Sequence, residues 1–401
     1  MSMKILQVTP DYYPEIGGIE RHIQAISAHM AARGHTVFVA TMAPRVAAPL
    51  REVTNEVTIL RFPWVGTAVY RVPRGLLSYL RRSRDDFDIV HVHNYHASLI
   101  PIVALARPRH MVVTPHLNDR PHSTVAQALH HPYAVVGRWA LLSAQAIVCI
   151  SPPERDRLLT RLGLPADRTQ VITTGVDVNR FHPVPRSATK GDLQLLVVGR
   201  LEPYKRIDGV IDALALLPPT YQLVVAGDGP ARHALEQQAA ASGVGDRVTF
   251  TGHVSDDQLV DLYQHARVLI NLSTAEAFGL TLIEAVATGC CVVCSDIPAF
   301  RNLAATFPDR IMVVPQGDNH AASAAIEVMA QRPNEAPVEL ADYSWTKIAD
   351  NLLDLYGRLV YAAEGDAPPY AALVSHPTPI STPVSAGDTT VAGGDGTGRR
   401  E

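Results

Sequence analysis

The sequence predicts an α/β protein of two doubly wound, Rossmann-like domains facing one another across a cleft. Three observations carry this. Short apolar strands alternate with amphipathic helices almost throughout, the β-α-β signature of parallel sheets. The pattern halts at the Pro-rich, polar stretch "GVDVNRFHPVPRSATKG" and then starts afresh. Finally, 401 residues are too many for one compact core, so two domains are the default.

Taken in order, "MKILQVT" is a first strand leading through "PDYYPEIGGIE" into the helix "RHIQAISAHMAARG". "HTVFVAT" follows directly as the next strand, and "DIVHVHN", "HMVVTPH" and "AIVCIS" are later ones. Beyond the linker, "LQLLVVGRL" is a strand, "RIDGVIDALALL" a helix, "YQLVVAGDG" a strand and "ARHALEQQAAASG" a helix. "RVTFTGHV", "VLINLS" and "CVVCSD" complete a second sheet. The predicted domains are residues 1–182 and 183–345, with ligands expected at the carboxyl ends of both sets of strands. Residues 365–401 are rich in Pro, Thr, Ser, Ala and Gly without apolar periodicity, and are expected to form a disordered tail with no catalytic part.

Composition narrows the function classes. With 47% hydrophobic and 18% charged residues the chain is globular, and a net charge of -4 gives no reason to expect nucleic acid as a partner. No apolar run approaches the ~20 residues of a membrane span. "MSMKILQVTP" turns polar at once and reads as a strand, not a signal peptide, so a cytoplasmic location is expected. Four cysteines in so long a chain make no disulfide framework, and Cys290, Cys291 and Cys294 read as small apolar thiols in a buried strand.

Four stretches converge on the expected cleft. In "EIGGIE", Gly17 and Gly18 are read as ending a strand and opening a helix, where bare N–H groups can approach a phosphate. In "GRLEPYKR", Arg200 and Lys205 follow a strand, as two fixed cations for a diphosphate would. "GDGPAR" lacks the full G-x-G-x-x-G spacing and reads as turn chemistry. The fourth, "EAFGLTLIE", begins and ends with Glu276 and Glu284. Were it one helix, the two carboxylates would stand ~12 Å apart along the axis, too far to share a proton or a metal. The pattern instead gives a strand over 268–272, a turn over 273–279 and a helix over 280–288 closed by Gly289. The free N–H groups of Phe278, Gly279 and Leu280 then point at an approaching anion.

Together, "VVGRLEPYKRID", "LVVAGDGP", "VTFTGHV" and "EAFGLTLIEAVATG" resemble the C-terminal domain of the retaining glycosyltransferases of family 4, with the two-domain GT-B fold. "MKILQVTPDYYPEIGGIERHI" and "FDIVHVHN" are similar to its N-terminal, acceptor-side domain. "YSWTKIADNLLDLY" resembles its closing helix, which implies that residues 346–362 cross back onto the first domain. The resemblance spans roughly residues 3–362. It implies a metal-independent transfer of a hexosyl group from a nucleoside-diphosphate sugar, UDP ahead of GDP, to a hydroxyl with retention of configuration. Glu284 would then accept from the ribose hydroxyls and Glu276 would lie near the sugar hydroxyls and diphosphate. Arg200 and Lys205 would neutralise the leaving diphosphate, with Gly18 closing on it from the other domain. His116 matches the histidine beside the donor sugar, and Gly252, His253 and Val254 match the segment meeting the nucleobase. No cofactor is implied. The route favoured is same-face attack, with the departing phosphate helping to deprotonate the acceptor.

Two features mimic metal sites. Asp86 and Asp88 in "DFD" lead into a strand instead of following one, and His91 and His93 share a strand face with no carboxylate partner pattern. On the acceptor side, residues 61–84 are basic, aromatic and irregular. They would form an acceptor loop, a peripheral contact with an anionic inner membrane surface beside a lipid-linked acceptor, or a solvated helix. Tyr12, Tyr13, His22, Trp64 and Asp119 are candidate acceptor contacts for a saccharide, lipid-linked or small-molecule acceptor. Asp119 also reads as a helix cap. The rival readings are a nucleotide-sugar epimerase of the same fold, a glycoside hydrolase using both glutamates, and a non-catalytic sugar-nucleotide sensor.

Overall fold

The structure is a computed structural model. It describes residues 2–14, 17–44, 48–67, 71–95, 97–117, 134–184, 193–332 and 338–364. Asp119, most of the linker's second half and the stretch 365–401 lie outside the described residues.

The first sheet holds β1 (Lys4–Thr9), β2 (Thr36–Met42), β3 (Arg51–Thr54) and β4 (Val57–Phe62). After a separate hairpin of β5 (Trp64–Gly66) and β6 (Arg71–Pro73), it gains β7 (Ile89–His93), β8 (Met111–Thr114), β9 (Ala146–Cys149) and β10 (Thr169–Val171). Its order is β10-β9-β8-β7-β1-β2-β4-β3, parallel except for the β3–β4 pair at one edge. The second sheet is wholly parallel: β11 (Leu193–Val198), β12 (Tyr221–Ala226), β13 (Val248–Gly252), β14 (Val268–Asn271), β15 (Cys291–Ser295) and β16 (Ile311–Val314), ordered β13-β12-β11-β14-β15-β16. In each sheet the order reverses at the first strand, β1 or β11, which opens a crevice at the carboxyl ends there.

The central strands are apolar on both faces because helices cover both. Local chemistry sets the helix ends. Ser151 accepts from Glu154 N at the start of Pro152–Leu162, which ends at Gly163 in the left-handed conformation (φ 59°). A reciprocal Ser255–Gln258 capping box starts Asp256–His265.

The closing helix, Trp345–Glu364, returns to the first sheet. Its Ile348, Leu352, Leu355 and Tyr356 share one buried cluster with Ile5, Ile23, Val39 and Ile89. Burying such side chains is worth roughly 1.5–3 kcal/mol each, which fixes the helix there. Cys290, Cys291 and Cys294 are buried free thiols. Asp88 serves as a strand-entry staple, its carboxylate accepting from Lys4 N at 2.8 Å.

Residues 61–84 differ from the expected irregular loop. They comprise the end of β4, the β5–β6 hairpin and a short helix, Leu76–Arg82, which buries Leu76 and Leu80. Two of the arginines are engaged internally: Arg61 with Glu52 at 2.7 Å, and Arg71 with Asp11 at 2.6 Å. Among the described residues, no helix is long and apolar enough to cross a membrane.

Candidate active site

A cleft of about 950 Å³ runs between the carboxyl ends of the two sheets. The residues just past β1, β8 and β9 line one wall; those past β11, β12, β13 and β14 line the other. Two glycines permit the second wall. Gly227 has φ 139°, and a Cβ there would stand 2.0 Å from the Gly199 carbonyl oxygen, so β11 and β12 can end side by side only without side chains. Gly279 has φ 112°, and its missing Cβ leaves room for the Phe300 ring.

The helix Leu280–Ala287 begins at Gly279 with no side-chain cap, so its first N–H groups face the cleft unsatisfied by side chains. Glu276 lies in the loop before it and Glu284 one turn inside it, both lining the cleft. Lys205 Nζ pairs with Glu276 at 2.5 Å, with both side chains mostly buried. Arg200 differs from its expected twin. Its side chain is 72% exposed and rests on Glu202 at 3.1 Å at the rim of the cleft it lines.

Glu284 is only 5% exposed. Burial pushes its carboxyl up to about 7, against the opposing pull of a hydrogen bond from Tyr263 and of the Arg21 charge. The Tyr263 hydroxyl, itself fully buried, donates to Glu284 Oε2 at 2.7 Å. Arg21, from the helix Gly18–Ala32 on the opposite wall, stands 4.0 Å from Glu284 Oε1. Its guanidinium also pairs with Asp256 at 2.6 Å, tying the two walls together beside the carboxylate.

On the first wall, Gly17, Gly18 and His22 line the cleft. His22 Nδ1 meets Thr174 Oγ1 at 3.1 Å, and burial pulls its imidazole down to about 4. His116 follows β8 with φ 50°, a left-handed conformation that a non-glycine residue adopts at a cost of order 1 kcal/mol. The next residue is pinned: Leu117 N donates to Glu154 Oε1 at 2.5 Å, and Ile150 N donates to Glu154 Oε2 at 2.7 Å. Burial pushes the Glu154 carboxyl up to about 7 although both oxygens accept from N–H groups.

Thus the structure brings together Arg200, Lys205, Glu276, Glu284, Phe278 to Leu280, His253, Val254, Gly17, Gly18, His22 and His116. Other expected residues are not in the cleft. Tyr12 is 6% exposed within the first domain's core, because its ring packs with Ile23 and Ile26 beneath the helix. Tyr13 lies on the surface, away from the cleft lining. Trp64 belongs to the hairpin, its Nε1 donating to the Ala43 carbonyl at 3.0 Å and its ring lying under Arg71. Gly252 does not line the cleft; its carbonyl accepts from Gly227 N at 2.9 Å and so sets the strand end that carries His253. Sequence reasoning missed Arg21, Glu154 and Tyr263. Tyr263 sits in an amphipathic helix as one more core residue, and nothing local marks its hydroxyl as a partner for Glu284.

Comparison with known proteins gives concordant matches. Residues 16–180 match the family model for Glycosyltransferase Family 4, and residues 180–344 that for Glycosyl transferases group 1. The phosphatidylinositol N-acetylglucosaminyltransferase gpi3 subunit of Schizosaccharomyces pombe is 29% identical over 300 residues, covering 72% of this chain, and the match spans 65% of that protein's length. The glycogen synthase of Mycobacterium tuberculosis is 28% identical over 94% of this chain and all of its own. Among solved structures, sucrose-phosphate synthase of Thermosynechococcus elongatus superposes with a TM-score of 0.72 at 22% identity, over 90% of this chain and all of that one. The two family matches run end to end through both sheets and the cleft between them, and the chain is therefore a family 4, group 1 glycosyltransferase of the GT-B fold.

Proposed function

We propose that this enzyme transfers a hexosyl group from a nucleoside-diphosphate sugar, UDP ahead of GDP, to an acceptor hydroxyl, with retention and without a metal. One observation carries the reading. Along a single wall the cleft presents a cation paired with a carboxylate (Lys205–Glu276), the open N–H groups of a helix start, and a second, buried carboxylate (Glu284). That succession suits a sugar with its diphosphate at one end and a ribose at the other.

In this reading Glu284 accepts from the ribose diol through Oε1, since Oε2 is occupied by Tyr263. Phe278 to Leu280 meet the diphosphate, with Gly17 and Gly18 approaching from the other wall. His253 and Val254 border the base, and Glu276 and His116 face the hexose. As the C1–oxygen bond breaks, its electron pair passes to the β-phosphate, and Lys205 and Arg200 neutralise the growing charge. The acceptor oxygen bonds to C1 on the same face, and its proton goes to the departing phosphate oxygen. The pairing of Glu276 with Lys205 supports a cationic mechanism over a metal-bridged one, because that carboxylate is already balanced.

The acceptor is a saccharide, a lipid-linked sugar or a small molecule, and His22 is the cleft residue on its side. A peripheral membrane contact through residues 61–84, at an inner membrane surface of the cytoplasm, belongs to the same proposal. The test is a thermal-shift screen against UDP-, GDP-, ADP- and dTDP-sugars. Ligand at a hundred times its Kd stabilises by about 2.7 kcal/mol, and no stabilisation by any of the four overturns the reading.

A further inference from the structure

Beneath His116 runs a line of buried polar groups that neither the cleft chemistry nor an apolar core requires. Gln7, at the centre of β1, is fully buried, as are His93 of β7 and Tyr356 of the closing helix. His116 Nε2 lies 3.2 Å from His93 Nδ1, and His93 Nε2 lies 2.9 Å from Gln7 Oε1. At its other end the Gln7 amide donates to the Tyr356 hydroxyl at 3.4 Å and faces the Met30 sulfur at 3.9 Å.

The directions of these bonds follow from what each atom can do. A thioether sulfur only accepts, so the amide end beside Met30 is the NH₂ group. Gln7 Oε1 therefore faces His93 and makes His93 Nε2 the donor. Buried rings stay neutral, and a neutral imidazole has one N–H and one bare nitrogen, so His93 Nδ1 is an acceptor. His116 Nε2 must then carry the proton, which leaves His116 Nδ1 bare. Among the described residues nothing hydrogen-bonds to that nitrogen, and His116 borders the cleft. The Tyr356 hydroxyl, accepting from Gln7, spends its own proton on His91 Nδ1 at 2.6 Å, and this keeps the amide from turning over.

We propose that Gln7, His93 and Tyr356 are positioning residues that lock His116 as the Nε2–H tautomer, so that Nδ1 presents a fixed acceptor to a hydroxyl of the sugar in the cleft. The proposal rests on the transferase reading only for the identity of that hydroxyl. It also gives the closing helix a task beyond packing, since its buried Tyr356 hydroxyl sets the orientation of the amide that sets the ring. Burial holds His116 and His93 well below the ordinary histidine range, consistent with both rings staying neutral.

The experiment uses the full chain labelled with ¹⁵N in the histidine rings, with the His116 signals identified by their loss in His116→Asn. Wild type is expected to show a protonated Nε2 and a bare Nδ1 at His116. Gln7→Leu removes the acceptor that orients His93, and both His116 tautomers are then expected in comparable amounts, with kcat/KM about tenfold lower. Tyr356→Phe removes a single oxygen and so keeps the test open if Gln7→Leu does not fold; the same mixing is expected. A protonated Nδ1 in wild type, or an unchanged Nε2–H form in the variants, overturns the lock. Titrating UDP-glucose or GDP-mannose into wild type separates the two layers. If neither nucleotide sugar moves the Nδ1 signal while the tautomer is as stated, the lock stands and the sugar-side reading of His116 falls.

Discussion

The most telling perturbation is Tyr263→Phe, because it leaves every cleft residue in place and removes one oxygen behind Glu284. The hydroxyl lost is fully buried and donates to the carboxylate at 2.7 Å. A hydrogen bond to a charged group is worth about 1.5–3 kcal/mol, so ionising Glu284 becomes roughly ten- to a hundredfold harder. In the wild type burial has already pushed this group up to about 7, so at pH 7.5 it is mostly ionised, with little margin. The variant is therefore mostly protonated there and loses its ability to accept from both ribose hydroxyls. Nucleotide affinity at pH 7.5 is expected to fall on the order of tenfold, and the deficit to shrink as pH rises towards 9 and the carboxylate is recovered. Calorimetric titration of wild type and Tyr263→Phe with UDP and GDP at pH 6.5, 7.5 and 9 measures this. Equal affinities at pH 7.5, or a deficit that ignores pH, would refute the assignment of Glu284 to the ribose.

Other outcomes follow from the same geometry. Arg200→Ala and Lys205→Ala are each expected to lower kcat by roughly two to three orders of magnitude with a much smaller rise in donor KM, and chelator is expected to leave wild type unaffected; variants that change only KM would reduce the pair to an anchor. Stability is expected to fall on acidification from pH 6.5 towards 4.5. His22, His91, His93 and His116 are held neutral by burial and protonate only on unfolding in this window, while Glu154 and Glu284, raised to about 7, act in the opposite sense. Four histidines outweigh two glutamates, so unfolding takes up protons and stability drops by up to ~3 kcal/mol per pH unit; a melting temperature that holds or climbs from pH 6.5 to 5 refutes this. A chain ending at Glu364 is expected to fold and turn over as the full chain does, whereas one ending at Ser344 is expected to lose the first sheet's cover and aggregate on gel filtration.

The sequence by itself determined the architecture and one wall of the cleft. Alternating apolar strands and amphipathic helices set two parallel sheets because side-chain period and helix caps are local properties, readable within a dozen residues. For the same reason "EAFGLTLIE" could be parsed into loop and helix, with Glu276 and Glu284 on the cleft at either side of a bare helix start. What the tertiary structure alone decided are pairings between groups far apart in the chain. Lys205 balances Glu276, 71 residues on; Tyr263 restrains Glu284; and Arg21 reaches across from the other wall. Tyr12, expected at the acceptor, went into the core because an aromatic ring beneath the helix buries more than it could in an open cleft. Gln7 interrupts an apolar strand, and its partner Tyr356 comes from 349 residues later in the chain. A buried polar group must find a partner, but which partner it finds depends on how the helices and sheets pack, and no local pattern encodes that.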